Sequence, residues 1–181
     1  MSEFTRGFMK EEKSGLEWVR SLMEQFESAL VLYAMTFMKD WEKAKDVVQD
    51  TFLKLCRENP VKIESYVKPW LFKVCRNRAL EVLRKEKRII PFEEGQLESV
   101  PSAVENPAKL SERKEMNERV LQCLDRLPQN QREVIRLKFQ TGLSYKEISD
   151  VTELTVTNVG FLIHTGLKNL REKMQRQEGG L

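Results

Sequence analysis

The sequence predicts an all-α protein: two small helical domains joined by an acidic linker, the second a four-helix domain with a helix-turn-helix. Three observations predict it. Apolar residues recur at helical spacing over residues 16–88 and again over 110–174, with no convincing strand alternation and no internal repeat. Between those stretches, residues 89–112 break the period with Pro91, Pro101, Pro107 and Gly95. Near the C-terminus, Ser144 to Glu147 has the spacing of a capping box, followed by a tight turn and a second capping residue, Thr155.

Composition sets the class. At 181 residues the chain has room for one ordinary domain or two small ones. Its 33% charged and 40% hydrophobic residues fit a helix-rich soluble protein. The net charge is only +3, so affinity for nucleic acid has to come from local clusters. Cys56, Cys75 and Cys123 are isolated, and His164 is the one histidine. That spacing argues against a zinc site and against a disulfide framework, and it fits a reducing cytosol. The longest apolar runs fall well short of the ~20 residues needed to span a bilayer. The start, MSEFTRGFMKEEK, lacks a signal-peptide core. A cytoplasmic protein without membrane insertion is expected. No glycine-rich phosphate loop, metal cluster or nucleophile–base pattern is present in the sequence, so no catalytic residue, metal or cofactor is expected and the chain is not read as an enzyme.

The first helix is predicted over Leu16–Met38, with Leu22, Phe26, Leu30, Tyr33 and Phe37 in register. A turn at Lys39-Asp40 leads to a second over Trp41–Arg57, stopped by Asn59-Pro60. At about 100° per residue, Trp41, Ala44, Val47, Val48, Phe52 and Leu55 form its buried stripe. Asp46, Gln49, Asp50, Leu53 and Arg57 fall opposite. A leucine among donors and acceptors has the make-up of an interface centre, although a plain solvated face is the common fate of such a helix side.

The third helix is predicted from near Pro69, tolerated in a first turn, to Arg88. Leu71, Cys75, Ala79, Val82 and Leu83 make its buried side; Trp70, Lys73, Asn77, Arg84 and Arg88 gather opposite. The run also holds Lys68, Arg76, Arg78, Lys85 and Lys87 against Glu81 and Glu86. Lysine and arginine neutralise phosphates. Tryptophan can stack on an unpaired base, and asparagine can bond a base edge. The bland alternative is a charged helix whose Trp70 covers a core.

The next segment carries Glu93, Glu94, Glu98, Glu105 and Glu112 against Lys109, an acidic linker. Helices then follow over Leu110–Leu127, with Val120, Leu121, Leu124 and Leu127 on one side, and from Pro128 through Val134, Ile135 and Leu137. Two shorter units, Ser144–Val151 and Thr155–Met174, complete the helix-turn-helix, with Val156, Val159, Ile163, Leu167 and Leu170 as its inward seam. Such a motif enters the major groove by the N-terminal end of its second helix. The outward face there is Thr157, Asn158, Phe161, Thr165 and Lys168, with His164 at its edge. Asn158 can pair with adenine, and Phe161 or Thr165 can touch a thymine methyl. Cations arrive late, at Lys168, Arg171, Lys173 and Arg176. Weak unaided binding to DNA is expected.

Three motifs in order, KAKDVVQDTFLKL (Lys43–Leu55), WLFKVCRNRALEVLRK (Trp70–Lys85) and LPQNQREVIRLKF…GLSYKEISDVTELTVTNV (Leu127–Val159), resemble the extracytoplasmic-function (ECF) sigma factors of the sigma-70 family. The resemblance covers about residues 16–175. It implies a domain over 12–88 that grips the β′ clamp helices of core RNA polymerase and melts the −10 element, a linker over 89–109 threading the polymerase, and a domain over 110–176 on the β flap that contacts the −35 element. It would place Asp46, Gln49, Asp50, Leu53 and Arg57 against β′. It would place Trp70, Lys73, Arg76, Asn77, Arg84, Lys85 and Arg88 against the −10 DNA, with the Asn59–Lys68 loop helping to select a flipped base. Ser144, Tyr145, Lys146, Thr157, Asn158, Phe161, His164, Thr165 and Lys168 would meet the −35 DNA.

One departure stands out. The family commonly has G-T-V-K-S-R-L-H-R-A-R through the recognition helix; here the usual basic positions are Gly160, Leu162, Thr165 and Leu167. Altered −35 binding is therefore expected, with an additional DNA-bound partner as one way to compensate. An anti-sigma factor is a further partner of the type the resemblance implies. The competing expectation is a stand-alone helix-turn-helix regulator that binds duplex DNA without polymerase.

Overall fold

The structure, a computed structural model, describes residues 3–89 and 119–178, with side chains over 15–86 and 119–175. Almost all of the predicted linker and the first part of the predicted 110–127 helix lie outside the described residues. Every regular element among those described is helical, as the apolar periodicity requires. The chain divides into two compact units, one built mainly on residues 3–89 and one mainly on residues 119–178.

The first unit begins with α1 (Glu3–Met38), which starts well before the predicted Leu16. Lys39 takes a left-handed turn at φ 53°. Asp40 then caps α2 (Trp41–Leu55), its carboxylate accepting from the Glu42 and Lys43 amides at 2.9 and 3.1 Å. The core forms where α1, α2 and α4 pack on one another. Leu30, Ala34, Ala44, Val47, Leu55, Leu71, Phe72, Cys75 and Ala79 are buried there. Tyr33 sits edge-on to both Phe37 and Phe72, with centroids 5.4 and 5.3 Å apart, the favoured arrangement of ring quadrupoles.

The predicted Asn59–Lys68 loop is a correction: most of it is helical. Asn59 accepts from the Val61 amide at 3.0 Å and starts the short α3 (Pro60–Ile63). Pro60 occupies a first-turn position where no amide is needed, and buried Ile63 pins the segment. A 3₁₀ turn (Glu64–Tyr66) passes into α4 (Val67–Ile89).

In the second unit, the helical residues 119–125 form α5, followed by α6 (Gln129–Phe139), α7 (Tyr145–Thr152) and α8 (Val156–Glu178). Leu124, Leu127 and Ile135 cluster with Leu170. Leu121, expected beside them, is exposed. Arg132 donates to the Asp125 carbonyl at 2.9 Å and Arg136 to the Asp125 carboxylate at 2.9 Å, tying the end of α5 to α6. Gly166 lets α8 approach α6: a Cβ there would lie 2.7 Å from Ile135 Cδ1 and 3.2 Å from Gln131 Cβ.

Candidate nucleic-acid and partner interfaces

On α2 the buried stripe is Ala44, Val47, Val48, Thr51, Phe52 and Leu55. Trp41, expected in it, is instead 50% exposed at the helix start, with the Lys45 ammonium 5.7 Å from its ring. It lies at the first residue, where the helix has turned to the edge of the packed side. The opposite face does present Asp46, Gln49, Leu53 and Arg57 to solvent, and Leu53 is 54% exposed at its centre. An apolar side chain ringed by polar ones has the make-up of a docking surface.

Asp50 differs from its neighbours. It is half-buried and accepts a hydrogen bond from Arg78 Nε of α4 at 2.6 Å. The Arg78 guanidinium also meets Glu81 at 3.1 Å, and Glu81 meets Lys85 at 2.8 Å. A second pair, Lys43 to Glu86 at 2.6 Å, joins α2 and α4 further along. The electrostatic directions agree: bonding to Asp50 raises the Arg78 pKa, Lys85 and then Arg78 lower that of Glu81, and Glu86 raises that of Lys43. One face of α2 is thus tied by its carboxylate to the basic helix beside it. Sequence periodicity missed Arg78, because the pairing needs the packing of α2 against α4; the one local signal was the i,i+3 spacing of Arg78 and Glu81.

On α4, Leu71, Phe72, Cys75 and Ala79 are buried as the core side. Val82 and Leu83, expected with them, are only half-buried. Asn77, Arg84 and Lys85 are exposed, while Trp70, Lys73 and Arg76 are half-buried. Trp70 therefore offers part of its ring rather than a free face. The side chain of Arg88 lies outside the described residues.

In the second unit the capping box closes as expected: the Glu147 amide donates to Ser144 Oγ at 3.2 Å, and the Ser144 amide donates to the Glu147 carboxylate at 2.7 Å. Glu153 turns the chain at φ 62°. Thr155 caps α8, accepting from the Asn158 amide at 3.2 Å. Val159, Leu162, Ile163 and Gly166 face inward. Two expected seam residues do not: Val156 is 47% exposed and Leu167 is at the surface. Leu162 takes a seam place that the sequence pattern had not assigned. Thr157, Asn158, Phe161, His164 and Lys168 are exposed and Thr165 half-exposed; Ser144, Tyr145 and Lys146 are exposed on the start of α7.

Among the described residues, no helix is long and apolar enough to cross a membrane, and no cluster of metal-ligating side chains occurs. The described residues thus present exposed polar side chains on α2 and α4, and a helix-turn-helix formed by α7 and α8.

Comparison with known proteins gives these faces a family. Residues 22–89 match the sigma-70 region 2 model and residues 117–170 the sigma-70 region 4 model. The ECF RNA polymerase sigma factor SigM of Bacillus subtilis is 27% identical over 163 residues, covering 87% of this chain and 96% of that one. The ECF sigma factor RpoE of Cereibacter sphaeroides is 29% identical over 133 residues, 74% of this chain and 71% of that one. In fold, the chain is similar to the sigma factor RpoE solved with the anti-sigma factor NepR from Bartonella quintana, with a TM-score of 0.60 at 20% identity over 86% of this chain and 96% of that one. It is also similar to CnrH solved with the cytosolic domain of CnrY, with a TM-score of 0.61 at 23% identity over 92% and 94%. With region 2 and region 4 matched in order, and ECF sigma factors aligning along most of its length, this chain belongs to the ECF sigma factors of the sigma-70 family.

Proposed function

We propose that this protein recruits core RNA polymerase to promoters, docking through the α2 face and engaging the −10 DNA through α4. Family membership supports the coarse function, promoter recognition and transcription initiation. The observation that carries the finer reading is exposed Leu53 framed by Asp46, Gln49 and Arg57, one helix away from a helix exposing Asn77, Arg84 and Lys85. In this reading residues 12–88 form the polymerase and −10 domain, 89–109 the linker, and 110–176 the −35 domain. The protein performs no chemistry of its own and works in the cytoplasm. An anti-sigma factor would hold it inactive by covering the same faces; the solved relatives include one bound to NepR and one to CnrY.

Leu53→Asp is the sharpest test, because it puts a charge at the centre of the docking face while keeping both members of the Asp50–Arg78 pair. It is expected to abolish capture of core polymerase and run-off transcription while leaving the thermal melt unchanged. If capture of polymerase survives Leu53→Asp, the α2 face is not the docking surface; if the native protein binds duplex DNA but captures no polymerase, it is a stand-alone helix-turn-helix regulator instead.

A further inference from the structure

α8 exposes an apolar group in the part of the helix that would face bases. At about 100° per residue, the direction opposite buried Val159, Leu162, Ile163 and Gly166 is occupied by Thr157, Phe161, His164 and Lys168. Phe161 is 65% exposed at the middle of this stripe, and nothing in its own unit covers the ring. The first lysine, Lys168, stands three turns into the helix. A helix-turn-helix reads bases with the N-terminal part of its second helix. In that part, from Val156 to Leu167, there is neither arginine nor lysine. Guanine is read chiefly by those two side chains, through O6 and N7. Thymine is marked in the major groove by its methyl group, and adenine by an acceptor–donor pair that an asparagine amide matches.

We infer that α8 reads A·T pairs through apolar contact, Phe161 packing on thymine methyl groups with the Thr157 methyl beside it, and Asn158 pairing with adenine. Gly160 fits this role. It leaves the Tyr145 ring resting close to the α8 backbone, where a Cβ would be 3.6 Å away, so no side chain from that position stands between Tyr145 and Phe161. Lys138, 5.3 Å from the Tyr145 centroid, and exposed Lys146 supply positive charge from outside α8. Base readout and phosphate attraction are thereby divided between different elements.

The inference rests on the promoter reading above, and one experiment separates them. Full-length protein with core polymerase is used to select initiating templates from a library randomised across the −35 region. Selected templates are expected to carry A·T pairs there and to require no guanine. Replacing selected thymines by uracil removes only the methyl group and should weaken holoenzyme binding about fourfold per methyl, the transfer free energy of one buried carbon. Phe161→Ala should bind the thymine and uracil templates alike, and exposed Phe161 can be removed without opening the core. Phe161→Arg should shift the selection toward guanine. A required guanine with the native protein, or indifference to uracil, overturns the inference while leaving the promoter reading intact. Absence of any polymerase-dependent initiation overturns both.

Discussion

Arg78 reaches from α4 to α2 and donates its Nε–H to the Asp50 carboxylate at 2.6 Å. Asp50 thus belongs to two sets at once: the face proposed to meet polymerase, and the joint between that face and the basic helix. The two side chains remain 33% and 42% exposed, so the pair contributes only about 0.2–1 kcal/mol to stability, as half-solvated ion pairs do. Asp50→Asn should lower the melting temperature slightly and weaken polymerase capture by at least tenfold. The exchange of both charges, Asp50→Arg with Arg78→Asp, separates the roles. It should recover the α2–α4 pair but only part of the melt, because a carboxylate at position 78 faces Glu81 instead of pairing with it, and it should leave capture defective. Recovery of capture in the exchanged protein would mean that Asp50 acts only inside the molecule.

Two glycines of α8 should respond in opposite directions. A methyl group at Gly160 would meet the Tyr145 ring at 3.6 Å, an ordinary contact. Gly160→Ala is therefore expected to stabilise by about 0.5–1 kcal/mol through helix propensity. At Gly166 the space is filled by Ile135 and Gln131. Gly166→Val should cost about 1–3 kcal/mol by forcing α6 and α8 apart. Thermal denaturation of both variants checks the pair.

How far the sequence anticipated these details depended on how local the cause was. The all-α class was legible because apolar spacing records helices directly, and the capping box at Ser144 and Glu147 needed only four consecutive residues. Helix ends and edges were less so. Trp41 and Val156 fit a buried stripe by angle alone, yet each opens its helix, where fewer neighbours surround it, and both are exposed. Asn59–Lys68 looked like a loop because proline stops one helix, but the same residue pair starts the next. The hidden part of the candidate site, Asp50 bound to Arg78, depends on two helices meeting 28 residues apart in sequence. No pattern within either helix encodes that.

The cysteines should differ sharply in reactivity. Cys56 is exposed, while Cys75 and Cys123 are buried. Desolvation pushes the Cys75 thiol up to about 12. At pH 8 a thiol reagent should label Cys56 in the folded protein and reach the other two only on unfolding. The same shift sets a pH dependence. The folded thiol holds its proton more tightly than the unfolded one, so its contribution to stability is complete below about pH 8.5, the ordinary thiol value. That contribution is lost as pH rises toward 12. Cys75→Ser should flatten this alkaline loss in a denaturation series from pH 8 to 11.

Ser144 carries a structural and a proposed DNA-facing role on one hydroxyl, and these can be pulled apart. Its oxygen accepts from the Glu147 amide, while its proton stays available to donate to a promoter phosphate. α7 has only eight residues, too short to hold itself together by propensity, so the cap matters. Ser144→Ala should cost about 1 kcal/mol, the usual value of a lost N-cap, and weaken promoter binding as well. Ser144→Asp keeps an acceptor at the cap and adds a negative charge facing the phosphates. It should therefore melt like the native protein and bind promoter templates more weakly than Ser144→Ala does. Salt titration of holoenzyme binding gives the check: the aspartate defect should shrink as salt screens the repulsion, whereas a defect caused by a loosened α7 would not. If Ser144→Asp binds as well as the native protein at low salt, Ser144 caps α7 and lies away from the DNA.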